Sequence, residues 1–485
     1  MRRAFRAAEQ QADAVSNRQV EGGLTNTLPG YVAGIREPPA GSCAKHLASS
    51  WYERLVLAYL LTQLYFYPYG VTVGAVGSIR VPDVLGMLCI AFGVVILLLR
   101  QRIFLDPAFL ISVGPFLLLE LATPVIGAIG YRQLGDIASS FRMALLWLPM
   151  VLLTMQLPAF RAEDFERRLA GMLKVALWAN AIYAVIQIAS TLGYLPGWLL
   201  FTERLRPFAV DRHFDLIEGM RPGGFFINTT QLVIFGVLGF IFFYARYISN
   251  RQRADLFYVA MAVVVILLTT SRAAYVLTVL IILVGCLALD GRRRLVVLAA
   301  LGICSAGLLF LIQATVGLEQ FLRRFIRIAE AGILEDVSFA SRYQVSWPAA
   351  LELSRMYPVG TLVSAVRVTG VIDSGYLTYF VQGKWAFVGA VAILLGGLGW
   401  LGMQGCRARV GQPGRLYMLF LAVYLALAMV TANPARGPLT VFFLTFAFWK
   451  VKAERESRVL RITVEGKARG RRQAVASEAL LPAVH

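Results

Sequence analysis

The sequence predicts an all-α polytopic membrane protein with about 12 transmembrane helices and two long external loops. Three observations carry that expectation. Of 485 residues, 58% are hydrophobic and 15% charged, with a mean hydropathy of +0.66, and a soluble domain cannot hide so much apolar surface. Apolar runs recur at the length of about 20 residues that a ~30 Å hydrocarbon core requires. Basic residues cluster in every second linker between those runs, as alternate crossing demands.

In chain order the runs fall near 52–69, 81–99, 103–129, 137–156, 169–192, 229–247, 255–270, 273–289, 295–316, 373–403, 415–432 and 436–450. The basic clusters are Arg100 and Arg102; Arg161, Arg167, Arg168 and Lys174; Arg246, Arg251 and Arg253; Arg292, Arg293 and Arg294; and Arg407, Arg409 and Arg415. Short cytoplasmic loops hold the Lys and Arg residues, so these linkers orient the chain and place both termini in the cytoplasm. Residues 1–50 mix charge with Gly, Pro, Ser and Asn, without a span-length apolar run or a compact secretion signal. They read as a mostly disordered cytoplasmic tail. Residues 51–450 form the transmembrane domain, and 451–485 a basic cytoplasmic tail.

The formal net charge of +19 sits in the short linkers and the C-terminal tail, which excludes nucleic acid as its explanation and suits anionic lipid head groups. Five cysteines (Cys43, Cys89, Cys286, Cys304, Cys406) lie outside the two long loops and show no CxxC or Cys/His spacing, so neither a disulfide framework nor a zinc site is expected.

The long external loops, 193–228 and 317–372, run against the charge pattern. The first carries Arg204, Arg206, Arg212 and Arg221; the second carries Arg323, Arg324, Arg327, Arg342, Arg355 and Arg367. Loops approaching about 60 residues cross regardless of charge, but their arginines call for an anionic partner. In the second loop Leu318, Phe321, Leu322, Phe325, Ala329 and Ile333 recur at helical spacing, with Arg323, Arg324 and Arg327 largely on another face. That describes an amphipathic helix lying in the outer interface, where plain anchoring is as good a reading as substrate contact. Pro348 and Pro358 bracket a further helix of about two to three turns.

Four places concentrate candidate chemistry. Arg221 precedes Pro222-Gly223-Gly224-Phe225-Phe226-Ile227-Asn228; Gly223 and Gly224 allow a ligand close to the backbone, and Arg221 offers a bidentate grip on phosphate. An ordinary turn into a helix explains the same glycines. Arg272 ends the tight turn Thr269-Thr270-Ser271, where it must either snorkel or be paired. Arg342 opens the segment through Trp347 to Gly360. Asp373 precedes Ser374-Gly375-Tyr376-Leu377 at the start of a span, as a general base or as an arginine's partner.

Together these segments resemble the O-antigen polymerase/ligase family, which elongates or transfers lipid-linked glycans on the outer face of the bacterial inner membrane. Arg342 to Gly360 resembles that family's arginine, tryptophan, Ala/Leu helix and Pro-x-Gly. Arg221 to Asn228 is similar to its Arg-x-x-Gly-x-Phe-x-Asn approach to a span. Leu268 to Ala273 is similar to its Ser-Arg turn, and Asp373 to Gly389 to its polar pair, Gly-Tyr-Leu and glycine-bounded apolar run. The likeness covers about 221–390. Ligases of the family commonly carry a histidine where this chain has Asp373 and Ser374, and His213 is the only external histidine.

The resemblance implies a polysaccharide polymerase acting on undecaprenyl-diphosphate-linked oligosaccharide, for O-antigen, capsule or exopolysaccharide. The alternative within the class is a ligase onto lipid A-core. A flippase for the same lipid is the alternative of another class, and a non-catalytic assembly partner a third reading. Arg221, Arg272 and Arg342 would hold the diphosphate, with Gly223, Gly224, Trp347 and Tyr376 in support. Asp373 is the expected base and His213 the reserve. No Asp-x-Asp pair occurs, so metal-free catalysis without a cofactor is expected. The implied partners are membrane lipid, a chain-length regulator and a flippase. Glu120 and Arg142 are the clearest ionisable residues inside the spans, and no paired broken helices stand out.

Overall fold

The computed structural model describes residues 43–65, 70–73, 77–100, 106–131, 135–156, 161–200, 222–226, 229–287, 289, 291–315, 340–362, 372, 374–406 and 413–456. The chain separates into a unit Met1–Ser50, described only from Cys43 as the opening turns of a helix, and a unit Trp51–His485.

The larger unit is built of helices, as the apolar periodicity requires. They are α1 (Cys43–Tyr65), α2 (Val81–Arg100), α3 (Pro107–Tyr131), α4 (Gly135–Gln156), α5 (Ala162–Thr191), α6 (Thr229–Asn250), α7 (Arg253–Leu268), α8 (Arg272–Leu287) and α9 (Gly291–Thr315). There follow α10 (Trp347–Met356), α11 (Gly375–Cys406), α12 (Pro413–Thr431) and α13 (438–456). Between α1 and α2, strands β1 (Gly70–Val73) and β2 (Gly77–Arg80) pair antiparallel, which qualifies the all-α expectation. A helix occupies each of the apolar runs read from the sequence. Among the described residues, six helices are long and apolar enough to cross a membrane, on α2, α3, α5, α6, α11 and α12. Shorter apolar helices lie at Ala144–Met155, Arg272–Leu287 and Arg294–Gly307.

α6 is the central helix. Its residues from Phe235 to Ile248 are buried on every side, against α7, α8 and α12, which is why its sequence is apolar all round. At the periphery, Phe92, Leu98 and Leu99 of α2 and Ile111 of α3 face outward, as lipid-facing surface does. Packing in a bilayer relies on small residues and on interhelical hydrogen bonds. Pro149 inside α4 has no N–H to give the Leu145 carbonyl, and the Tyr59 hydroxyl of α1 donates to that carbonyl at 2.9 Å. Tyr52 donates to the Pro149 carbonyl at 3.0 Å.

Charge is gathered at one end of the bundle. Glu166 of α5 receives Arg246 of α6 at 3.1 Å, the Tyr417 hydroxyl of α12 at 2.9 Å and Lys450 of α13 at 2.7 Å. Arg246 also reaches Asp255 of α7 at 3.4 Å, and Glu53 of α1 takes both Arg161 and Arg168 at 3.1 Å. Residues read as parts of separate basic linkers therefore meet in space.

Candidate functional site at the break in α11

α11 is two helices. Gly383 (φ −150°, ψ 23°) and Lys384 (φ 54°, ψ −142°) leave the helical region, and Lys384 adopts the left-handed conformation unusual for a residue with a side chain. A break inside an apolar helix exposes carbonyls that water is not there to satisfy. The segment after α10 satisfies them: Thr361 N–H donates to the Val381 carbonyl at 3.0 Å, and Leu362 N–H to the Gln382 carbonyl at 2.9 Å. Gly360 makes this approach possible. Its φ is +99°, and a Cβ there would lie 2.5 Å from the Gln382 carbonyl oxygen. A small core of Ala350, Leu353, Ile372 and Val381 joins α10 to the first half of α11. The sequence reading looked for paired broken helices, and this single break went unremarked in it. The sequence signal was Gly-Lys inside an apolar run.

A buried ion pair supports the break from behind. Arg436, in the short 3-10 turn Pro434–Arg436 after α12, grips Glu120 of α3 through Nε at 3.0 Å and Nη2 at 3.1 Å. Glu120 is 1% exposed. The same guanidinium donates to the Gln382 side chain and lies 5.2 Å from the Tyr379 ring centre. Gln382 in turn donates to Thr123 Oγ1 at 3.1 Å. Glu120, one of the two ionisable residues expected inside the spans, is partnered by Arg436; the Arg142 side chain lies outside the described residues.

Ser374, the described member of the polar pair before α11, has a structural reading. Ser374 Oγ accepts the Leu377 N–H at 3.4 Å, as a helix cap does. Gly375 N–H donates to the Ala432 carbonyl at 2.9 Å and the Tyr376 hydroxyl to the Ala426 carbonyl at 2.8 Å. These contacts fix the start of α11 on α12.

The glycine turn before α6 is seated on α5. Gly224 N–H donates to Gln187 Oε1 at 2.8 Å, and Phe225 N–H to Asn180 Oδ1 at 3.0 Å. Gly224 has φ +59°, and a Cβ there would meet Asn180 Oδ1 at 2.5 Å. Its N–H is committed inside the bundle, and Gly223 precedes it with its carbonyl accepting from Phe226 N–H at 3.0 Å. Phe225 stacks on Tyr183 with ring centres 4.6 Å apart.

Of the predicted site residues, Arg221, His213 and Asp373 lie outside the described residues. Arg272 begins α8 after a turn in which Thr270 has φ 51°, and it is half-buried. The turn is tied by Thr270 N–H to the Leu267 carbonyl at 3.1 Å and by the Tyr275 hydroxyl to the same carbonyl at 2.7 Å. Arg342 is half-buried in a single π-helical turn, Arg342–Ser346, whose Arg342 carbonyl accepts the Trp347 N–H. Such turns are frequent at functional sites. Trp347 starts α10 with proline in its first turn, matching the helix bracketed by Pro348 and Pro358. Arg272 and Arg342 stand on different elements. α8 packs on α6, α7 and α12, whereas the π turn and α10 pack together and α10 rests on α11. The α11–α12 pair is what the two have in common.

The sequence reading gave no role to Lys384, Arg436 or Gln382, and set Arg355 aside. Arg355 and Lys384 line one cavity of about 450 Å³ beside the break. No protein-family model and no curated protein matches the chain.

Proposed function

We propose that this chain is a polysaccharide polymerase joining undecaprenyl-diphosphate-linked repeat units at the external face of the bacterial inner membrane. On this reading it crosses the bilayer twelve times, with both termini in the cytoplasm. One observation carries the reading most: the joint at which Gly360, Thr361 and Leu362 close the break in α11. Two segments that resemble the family separately, Arg342 to Gly360 and Asp373 to Gly389, are there one structural unit. A cationic cleft opens beside it.

The chemistry follows from the substrate. The acceptor hydroxyl oxygen forms a bond to the donor's anomeric carbon while the bond from that carbon to the diphosphate breaks. The hydroxyl proton passes to a base, for which Asp373 is assigned, with inversion at the carbon. Negative charge grows on the departing diphosphate, and arginines that stay charged and match phosphate oxygens two at a time stabilise it. Arg221, Arg272 and Arg342 take that role. Glu120 supports an enzyme over a translocation route, because Arg436 closes it instead of leaving it to face a path.

The test is reconstitution of the purified protein in liposomes with lipid-linked repeat units, reading chain growth and movement across the bilayer together. Chain growth is expected. Arg272→Lys and Arg342→Lys keep the charge but lose the planar fork, and each is expected to slow growth by about tenfold or more. Normal growth in both the Arg272→Ala and the Arg342→Ala proteins would remove the diphosphate clamp; movement without growth would replace the polymerase with a transporter.

A further inference from the structure

The cleft beside the break is lined by Ser354, Arg355 and Pro358 from one side and Phe380, Lys384 and Trp385 from the other. Its polar lining is unbalanced. Among the described residues no carboxylate lies within ion-pair distance of Arg355 or Lys384. The Lys384 ammonium donates to the Ser354 carbonyl and hydroxyl and sits 5.3 Å from the Phe380 ring centre, which accounts for its direction but not for its charge. Its backbone is held at φ 54°, a conformation that glycine would adopt without strain. Strain kept by a side-chain-bearing residue at a cavity is a mark of use.

Depth and surroundings identify the missing anion. Lys384 lies nine residues beyond the start of the apolar helix Gly375–Gln404, or roughly 14 Å along it at 1.5 Å per residue. A cation at that depth must be compensated or must reach the interface. The surroundings are apolar: Leu351, Phe380 and Trp385 line the cleft, Trp385 is 74% exposed, and Met356 and Val359, the chain neighbours of Arg355 and Pro358, are 66% and 72% exposed. A freely dissolved anion has no need of that shoulder, whereas a phosphate carried on a hydrocarbon chain uses both parts.

We infer that this cleft seats the phosphate group of a membrane lipid entering sideways from the bilayer, with Arg355 and Lys384 on the phosphate and Trp385 against the chain. The inference rests on α11 crossing the membrane. Within the proposed polymerase it supplies a second phosphate seat, distinct from Arg272 and Arg342, for the carrier lipid of one of the two substrates.

The full-length protein in detergent would be titrated with undecaprenyl phosphate, phosphatidylglycerol and inorganic pyrophosphate, with binding read by native mass spectrometry. Arg355→Gln alters an exposed position on α10, and Lys384→Gly suits φ 54°, so both are expected to keep the wild-type unfolding midpoint. Each is expected to weaken lipid binding by about tenfold or more, the scale of one charge-assisted hydrogen bond; Lys384→Arg should retain most of it. Loss confined to undecaprenyl phosphate assigns the seat to the carrier lipid, and loss for both lipids assigns it to lipid phosphate generally. Either supports the inference. Unchanged lipid binding in the double variant, or pyrophosphate binding as tightly as the lipids, overturns it. The readout needs no glycan, so a failure of chain growth leaves it standing, and a failure here leaves the polymerase reading standing.

Discussion

Gly360→Ala puts the joint at the α11 break to a quantitative test. The added Cβ would stand 2.5 Å from the Gln382 carbonyl oxygen, 2.8 Å from its carbon and 2.9 Å from Gly383 Cα. All three are backbone atoms at the packed break in α11, so the loop must move instead. At φ +99° the alanine also carries backbone strain of about 1–3 kcal/mol. Displacing the loop strips the Val381 and Gln382 carbonyls of the Thr361 and Leu362 donors, at roughly 1–3 kcal/mol for each group left unsatisfied. Even the low ends sum to about 3 kcal/mol, which corresponds to local opening more than 100-fold more frequent. Hydrogen exchange followed by mass spectrometry over 357–385, in detergent, reads that opening. Gly389→Ala is the control, because nothing lies within 4 Å of its added Cβ. Exchange in Gly360→Ala less than about tenfold faster than in the control would refute the reasoning.

Further outcomes are expected elsewhere. Arg436→Met leaves Glu120 charged and enclosed, a loss of about 3–5 kcal/mol, and Glu120→Leu with Arg436→Met should recover much of it; thermal unfolding of the two proteins checks this. Glu454 lies at the far end of α13, where burial pushes its carboxyl up to about 7 although Gly414 N–H donates to it at 2.7 Å. A carboxyl raised in the folded state stabilises fully below its unfolded value near 4.5, and that contribution is lost as pH rises towards 7. The unfolding midpoint should therefore fall across that window in the wild type and less so in Glu454→Gln.

The membrane class and the helices were legible because both rest on local properties, apolar run length and charge in the linkers. The short helix between Pro348 and Pro358 was legible for the same reason, since proline acts on its own turn. The break in α11 was not. Val381-Gln382-Gly383-Lys384-Trp385 sits in a run apolar enough to cross, and hydropathy carries no backbone angle. Pairing at long range was hidden too: Arg436 and Glu120 are 316 residues apart, and no period in the chain connects them. Gly224 is the instructive case between these. Its presence signalled a close approach, but the sequence did not say whether a ligand or Asn180 was approached. Arg355 and Lys384 carried no joint signal, one standing in a loop and the other inside a span.

The charged end of the bundle has a mechanical meaning. Glu166 is gripped from α6, α12 and α13 at once, and Arg246 is shared with α7, so four neighbours are bound to α5 through one carboxylate and one guanidinium. Splaying that end would strand buried charge on several helices together. The other end, with its broken helix and loop-mediated joint, is tied by the Glu120–Arg436 pair and Gln382, which join α3 and α11 to the turn after α12. More helices share one carboxylate at the Glu166 end, so separating the helices costs more there than around the Glu120–Arg436 pair.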